Sequence, residues 1–220
     1  MVGFFNILDL TKQNRIKNFI YASSSSVYGE QGIGKFSEDD TSANNPEQFY
    51  AATKRSNEII ARSYSNLFKI STIGLRYFTV YGPYGRPDMS IFKFTKKILQ
   101  NKKIDVYNFG KHKRDFTFID DASELTVRLI KKTSKEKKKV CEIFNVSRGS
   151  SIPLKEIIKL LEKSLSKKAK INYLPKQKGD VVSTYGDNKK IKKYTKFNNF
   201  INPQEGVYRF VKWYKEYFEK

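Results

Sequence analysis

Apolar positions along the chain alternate between helical and strand spacing. Phe4, Ile7, Leu8 and Thr11 recur every three to four residues and predict a helix over 3–13. The compact run Lys17-Asn18-Phe19-Ile20-Tyr21-Ala22 predicts a short buried strand, with serines at its C-terminal end. A polar stretch over 30–49, carrying Gly32, Gly34 and Pro46, predicts a loop. A helix is then expected over about 50–68, with Ile59, Ile60, Tyr64 and Leu67 as its apolar stripe. Residues 70–78 predict the next strand, and Tyr81 to Met89 a Gly/Pro loop.

The second half continues the alternation. Ile91, Phe94, Ile98 and Leu99 mark a helix over 90–100, and Lys103 to Tyr107 a strand. Asp120 and Asp121 stand before a helix carrying Leu125, Leu129 and Ile130, where N-capping accounts for them. The lysine-rich residues 131–139 predict a solvated connection, and 142–146 a strand. Pro153 is expected to open a helix to about residue 165, packed through Ile157, Ile158, Leu161 and Leu165. Phe210, Trp213, Tyr214, Tyr217 and Phe218 fall on one side of a terminal helix, an aromatic docking face. Strands alternating with helices predict an α/β protein built on a parallel sheet. No internal repeat is visible.

Composition narrows the class. The chain has 220 residues, 39% hydrophobic and 15% aromatic, enough for a sizeable core. No apolar run is long enough to span a bilayer, and Met1 to Asn6 lack the pattern of a signal peptide, so no membrane role and a cytoplasmic location are expected. One cysteine, Cys141, excludes an intrachain disulfide and is expected to be a small buried hydrophobe in its strand. With a single histidine, His112, no metal site is expected. The net charge of +21 is mostly lysine, scattered or in short runs. Base-edge readers favour the arginine fork, so this reads as a solvated basic surface and no nucleic-acid partner is expected. The same charge attracts anionic nucleotides.

The candidate chemistry lies in Ser23-Ser24-Ser25-Ser26-Val27-Tyr28-Gly29 and in Tyr50-Ala51-Ala52-Thr53-Lys54. Tyr50 and Lys54 are one turn apart on one helical face. An ammonium beside a phenol favours the phenolate, a base for a substrate hydroxyl. Alone, a Tyr-x-x-x-Lys pair is a weak signal. Here it stands with Leu75-Arg76-Tyr77-Phe78-Thr79-Val80-Tyr81-Gly82-Pro83-Tyr84-Gly85-Arg86-Pro87-Asp88-Met89 and Lys113-Arg114-Asp115-Phe116-Thr117-Phe118-Ile119-Asp120-Asp121. In this order the motifs resemble the extended short-chain dehydrogenase/reductases, the NAD-dependent epimerases and dehydratases, and most of all UDP-glucuronate 4-epimerases.

The resemblance implies NAD as cofactor, a UDP-sugar as substrate and a homodimer. It implies interconversion of UDP-glucuronate and UDP-galacturonate at C4 through a 4-keto sugar. By the same resemblance Tyr50 takes the C4 hydroxyl proton with Ser24, and Lys54 holds the nicotinamide ribose. Phe78 approaches the nicotinamide, Ser25, Ser26 and Thr79 face the sugar, Arg86 meets its carboxylate, and Arg114 contacts the diphosphate. Gln177-Lys178-Gly179-Asp180-Val181 matches a loop near the nucleotide, and Gly186-Asp187 fits loosely the start of the next helix.

One feature departs from the family. No G-x-x-G-x-x-G or G-x-G-x-x-G occurs anywhere, and Gly32-Ile33-Gly34 lacks the strand-turn-helix setting that such a turn needs. The fold expected is therefore a partial Rossmann-type parallel sheet, without an N-terminal Gly-rich half of about 100 residues, and with a smaller C-terminal substrate-binding region. Residues 1–82 are read as the C-terminal half of the dinucleotide-binding domain and 83–220 as the substrate region, with about 115–148 returning to the Rossmann sheet. Two other readings stand beside the epimerase. One is an inactive or partner-completed fragment. The other is a 4,6-dehydratase, whose usual Thr-Asp-Glu triplet is replaced here by Ser24-Ser25-Ser26.

Overall fold

The structure is a computed structural model that describes residues 1–29, 34–177 and 180–218. Gly32 and Ile33 of the polar loop, and Lys178 and Gly179 of the later one, lie outside the described residues. In chain order the elements are α1 (Val2–Gln13), β1 (Asn18–Ser24), α2 (Phe49–Phe68), β2 (Ser71–Tyr77), β3 (Thr79–Tyr81), α3 (Ser90–Leu99), β4 (Lys103–Val106), β5 (Lys113–Phe118), α4 (Ile119–Thr133), β6 (Cys141–Val146), β7 (Ser151–Pro153), α5 (Leu154–Leu165), β8 (Lys170–Tyr173), α6 (Lys189–Thr195) and α7 (Pro203–Phe218).

The main sheet is parallel, in the order β1-β2-β6. Its central strand β2 is buried nearly end to end, as a parallel strand covered on both faces must be. Side chains alternate across it. Ile73 and Leu75 join Leu125 and Leu129 of α4, Phe144 and Val146 of β6, and Ile191 of α6 in one core. Arg76 points the other way, onto Glu58 of α2. Register carries Ser23 and Ser24 to the C-terminal end of the sheet, beside Arg76 and Tyr77. That is where open α/β sheets bind ligands.

A second group of strands, β3-β5-β7, pairs β3 with β5 in parallel and β5 with β7 antiparallel. The parallel pair β4-β8 lies apart. Their core joins Phe92, Phe94 and Ile98 of α3, Phe116 and Phe118 of β5, Ile157 and Leu161 of α5, and Phe210 and Tyr214 of α7. Asp115 is fully buried and pins these parts together. Its carboxylate accepts hydrogen bonds from the backbone N–H groups of Arg148, Gly149, Ser150 and Gly186, at 3.0–3.2 Å. At Gly186 a Cβ would meet Ser147 and come within 2.8 Å of the Phe78 ring, so glycine is required by close approach.

Several local expectations are corrected. In α2 the predicted stripe fails at Ile59 and Leu67, which are 57% and 69% exposed, with Ile60 and Tyr64 half-buried, while Ala51, Asn57, Glu58, Ala61 and Ser65 face inward. In α1 Leu8 and Thr11 are buried but Ile7 is exposed. Asp120 and Asp121 make no cap; they lie inside the first turn of α4, where Asp121 accepts from Ile201 N–H at 3.0 Å and Asp120 faces Arg209 at 3.6 Å. Pro153 is the N-cap of α5 instead of its first residue. Cys141 is only half-buried. On α7, Phe210 and Tyr214 are buried, whereas Tyr217 and Phe218 are largely exposed and pack on neighbouring rings. The serines begin inside β1 and continue into a 3-10 turn over Ser25–Tyr28.

Candidate active site

Ser24 ends β1 in extended backbone (φ −153°, ψ 146°) and caps the 3-10 turn that follows. Its Oγ accepts from Ser26 N–H at 3.1 Å and donates to Ser26 Oγ at 3.1 Å. The role of a serine cap is thus present, and it fixes the hydroxyl at the sheet's ligand-binding end. Ser23 turns to the other face, donating from Oγ to Glu58 Oε1 at 2.6 Å.

Tyr50 and Lys54 lie in the first turns of α2, the helix laid along β1 and β2. Lys54 Nζ donates to Ala22 O at 3.0 Å and sits 5.8 Å from the centre of the Tyr50 ring. The lysine head is therefore held at the tip of β1, beside the phenol. Tyr50 is half-exposed and turned to the cleft.

An 840 Å³ cavity gathers these groups. Ser24, Ser25, Ser26, Tyr50, Lys54, Phe78, Thr79 and Arg86 all line it. Eight of the nine predicted site residues therefore share one space; the ninth, Arg114, does not. Among the described residues the cavity wall carries no aspartate or glutamate, and its cations are Lys54 and Arg86. Arg86 is well exposed, and its Nε donates to Asp88 Oδ1 at 3.0 Å. This pairing raises the arginine's pKa and lowers that of Asp88.

Arg114 lines a neighbouring cavity of 220 Å³, together with Lys93, Asp88, His112 and Asp180. The 86–90 loop borders both spaces, with Arg86 and Met89 on the larger and Asp88 and Ser90 on the smaller. Arg114 donates from Nη1 to the carbonyls of Lys113 and Val182, at 3.0 and 3.1 Å, and from Nη2 to Asp180 Oδ1 at 3.0 Å. Burial lowers its pKa from the ordinary arginine value, and the Asp180 carboxylate opposes that pull.

Some lining residues carried no signal in the sequence. Ser123 and Thr126 of α4 reach the larger cavity, where Thr126 shares a 2.8 Å hydrogen bond with Tyr77 Oη. His112 carries no such signal either, and its Nε2 lies 3.2 Å from Asp180 Oδ2. Glu58 stands one turn beyond Lys54 on the same face, a spacing that extends the Tyr50–Lys54 row and is visible in the sequence.

The model of the NAD dependent epimerase/dehydratase family matches residues 1–147. The chain belongs to this family. Over 233 residues it is 43% identical to Protein CapI of Staphylococcus aureus, covering all of this chain and 70% of that protein. It is 40% identical over 220 residues to a UDP-glucuronate 4-epimerase of Thermodesulfobacterium geofontis, covering all of this chain and 66% of the relative. Among solved structures, the UDP-glucuronic acid 4-epimerase of Bacillus cereus, in complex with UDP-glucuronic acid and NAD, superposes with a TM-score of 0.88 at 32% identity. That match covers 98% of this chain and 67% of the other. The chain thus spans about two thirds of the length of these relatives. The fold is the Rossmann-type α/β fold of this family, and NAD is the cofactor of the family.

The residues present fit one end of NAD. The ammonium held at Ala22 O, the Tyr50 phenol and the Phe78 wall suit a ribose joined to a flat ring. A pyrophosphate calls for a Gly-rich turn at a helix N-terminus, and the 220 residues contain no such motif.

Proposed function

We propose that the residues of this chain serve an NAD-dependent C4 epimerase acting on UDP-glucuronate and UDP-galacturonate. The observation that carries this reading is the content of the 840 Å³ cavity: Tyr50, Lys54 and Ser24 together, two cations, and no carboxylate among the described residues lining it. A 4,6-dehydratase must also move protons at C5 and C6, and this wall offers no acidic group for that work. A cavity that is cationic and free of carboxylates suits a sugar that itself carries one.

Tyr50 takes the proton of the C4 hydroxyl, and Ser24 shares it through a hydroxyl fixed by its own cap. Lys54 holds the nicotinamide ribose, with Phe78 beside the nicotinamide. Bound NAD supplies the hydride exchange at C4. Ser25, Ser26 and Thr79 meet the sugar hydroxyls. Arg86 leaves Asp88 to pair with the sugar carboxylate, and Arg114 holds the diphosphate. Residues 1–82, with 115–148, form the dinucleotide side; the parallel pairing of β6 with β2 supports that grouping. The remainder forms the substrate side.

Incubation with UDP-glucuronate and NAD, followed by separation of the UDP-sugars, tests the reading. UDP-galacturonate is expected to accumulate. A folded chain that leaves UDP-glucuronate unchanged contradicts it.

The working form is a homodimer built on α1 and α2. The two helices pack through Phe5 and Tyr64, whose rings meet edge-on at 5.9 Å, and both present exposed apolar side chains, Phe5, Ile7 and Leu10 on one and Ile59 and Leu67 on the other. Ile59→Asp combined with Leu67→Asp is expected to halve the mass measured by sedimentation at micromolar concentration. An unchanged mass moves the interface elsewhere. The location proposed is the cytoplasm. One cysteine leaves no intrachain disulfide to maintain, and no described helix is long and apolar enough to cross a membrane.

A further inference from the structure

The loop that carries Arg86 holds a backbone conformation that one of its residues does not favour. Residues 82–85 form a tight turn, closed by Gly85 N–H donating to Gly82 O at 3.1 Å. Pro83 takes its first corner and Tyr84 its second, with φ at +58°. Glycine or asparagine is the usual occupant of a corner with positive φ, because a larger side chain there crowds its own backbone. Lys69, Ser166 and Lys196 share that sign of φ, but each of them caps the end of a helix. Tyr84 caps none. What its ring gains is contact with α7. It lies 5.2 Å from the Trp213 ring centre and 6.0 Å from that of Tyr217, two rings stacked on each other at 5.5 Å. Among the described residues, the hydrogen bonds of 83–88 stay inside the loop, from Met89 N–H to Arg86 O and from Arg86 to Asp88. The Tyr84 ring is therefore what ties the tip of the loop to α7. Two residues on, Arg86 lines the larger cavity with its side chain 74% exposed.

We propose that Tyr84 is a positioning residue for the sugar carboxylate: leaning on Trp213 and Tyr217, it fixes the 82–85 turn and so holds Arg86 at the cavity. This rests on the proposed reading of Arg86 as the residue that meets that carboxylate. A guanidinium on an untethered loop has to be ordered when the ligand binds, and that ordering subtracts from affinity. Anchored beforehand, it loses less. Only a ligand that pairs with Arg86 draws on this gain, so it favours UDP-glucuronate over UDP-glucose, which lacks the carboxylate. The Tyr84 ring is 79% exposed and adds little to the core, so its loss is a local change.

Calorimetric titration of the full chain with UDP-glucuronate and with UDP-glucose tests the proposal, using Tyr84→Gly, Tyr84→Phe, Arg86→Ala and the Tyr84→Gly/Arg86→Ala pair. Glycine accepts the positive φ, so Tyr84→Gly removes the ring and leaves the turn unstrained. It is expected to weaken UDP-glucuronate binding about threefold or more and to leave UDP-glucose binding unchanged. Tyr84→Phe keeps the ring and is expected to keep the preference of the unaltered chain. In the Arg86→Ala background, removing Tyr84 is expected to change nothing further. Equal weakening for both ligands makes Tyr84 a merely structural residue and overturns the proposal, as does a further loss in the Arg86→Ala background. A Tyr84→Phe as impaired as Tyr84→Gly gives the role to the hydroxyl and overturns it too. Trp213 is the chain's single tryptophan, so its emission reads the contact itself. Tyr84→Gly is expected to shift that emission to the red, and an unmoved spectrum removes the contact. Arg86→Ala separates the two readings. An unchanged UDP-glucuronate affinity in that variant, or an unaltered chain that binds neither ligand, removes the carboxylate reading, and the role of Tyr84 with it. A lowered affinity in Arg86→Ala, without a loss in Tyr84→Gly, removes only the role of Tyr84.

Discussion

Glu58→Ala is expected to lower the free energy of unfolding by about 3–5 kcal/mol, the range for breaking a buried ion pair by removing one partner. Glu58 and Arg76 are each only 2% exposed. Arg76 donates from Nε to Oε1 and from Nη2 to Oε2, both at 2.8 Å, the two-pronged geometry that suits a guanidinium. Ser23 and Arg55 fill the remaining acceptor sites, at 2.6 and 2.8 Å. Beyond the pair, Arg76 lies 4.7 Å from the Tyr28 ring centre, and Tyr28 donates to Asn145 Oδ1 at 2.7 Å. The alanine leaves Arg76 charged, buried and without its carboxylate. Glu58→Gln keeps the shape and is expected to cost less. Urea unfolding of the three proteins checks the order.

The same clamp predicts a pH dependence. Burial pushes the Glu58 carboxyl up, but the hydrogen bonds and charge of Arg76, with Ser23 and Arg55, outweigh it and leave the pKa below the ordinary value. A carboxyl with a depressed folded pKa contributes stability that is full above its unfolded value, about 4.3. That contribution is lost as the pH falls through the folded value. Unaltered protein should therefore lose stability more steeply below about pH 4.3 than Glu58→Ala does.

Tyr50→Phe is expected to lower turnover of UDP-glucuronate by about 10²–10⁴-fold, the usual contribution of a positioned acid/base group. The loss should fall on kcat, with little change in the melting temperature. Tyr50 is 51% exposed and lines the cavity, so removing one oxygen disturbs little packing. Lys54 remains anchored on Ala22 O in the variant, which separates the effect of the phenol from a collapse of the site. Turnover within a few-fold of the unaltered chain would give the proton to another group.

Periodic segments were the most legible part of the fold. The helices at 2–13, 90–99 and 154–165 and the strands at 18–24 and 71–77 fall close to where apolar spacing places them. Helix α2 shows where that rule stops. Its inward face is made of Glu58, Asn57, Ser65 and two alanines, because the helix lies against β1 and β2, which carry Ser23 and Arg76. Apolar spacing assigns such a face to solvent. The short strands β5, β7 and β8 were not legible, since each is defined by a partner: β5 by β3, β7 by β5, and β8 by β4, where Lys170 pairs with Lys103. The Tyr-x-x-x-Lys pair was legible at the site because both residues are on one helix. The junction of Arg114, His112 and Asp180 was not, because a loop far along the chain closes it.

Titration of the unaltered chain with UDP-glucuronate by calorimetry shows whether the two cavities hold that molecule. One site per chain is expected, with competition by UDP and weaker binding of UDP-glucose, which has no carboxylate for Arg86. A folded chain that takes up no UDP-glucuronate, or that holds UDP-glucose as tightly, would contradict the proposed function.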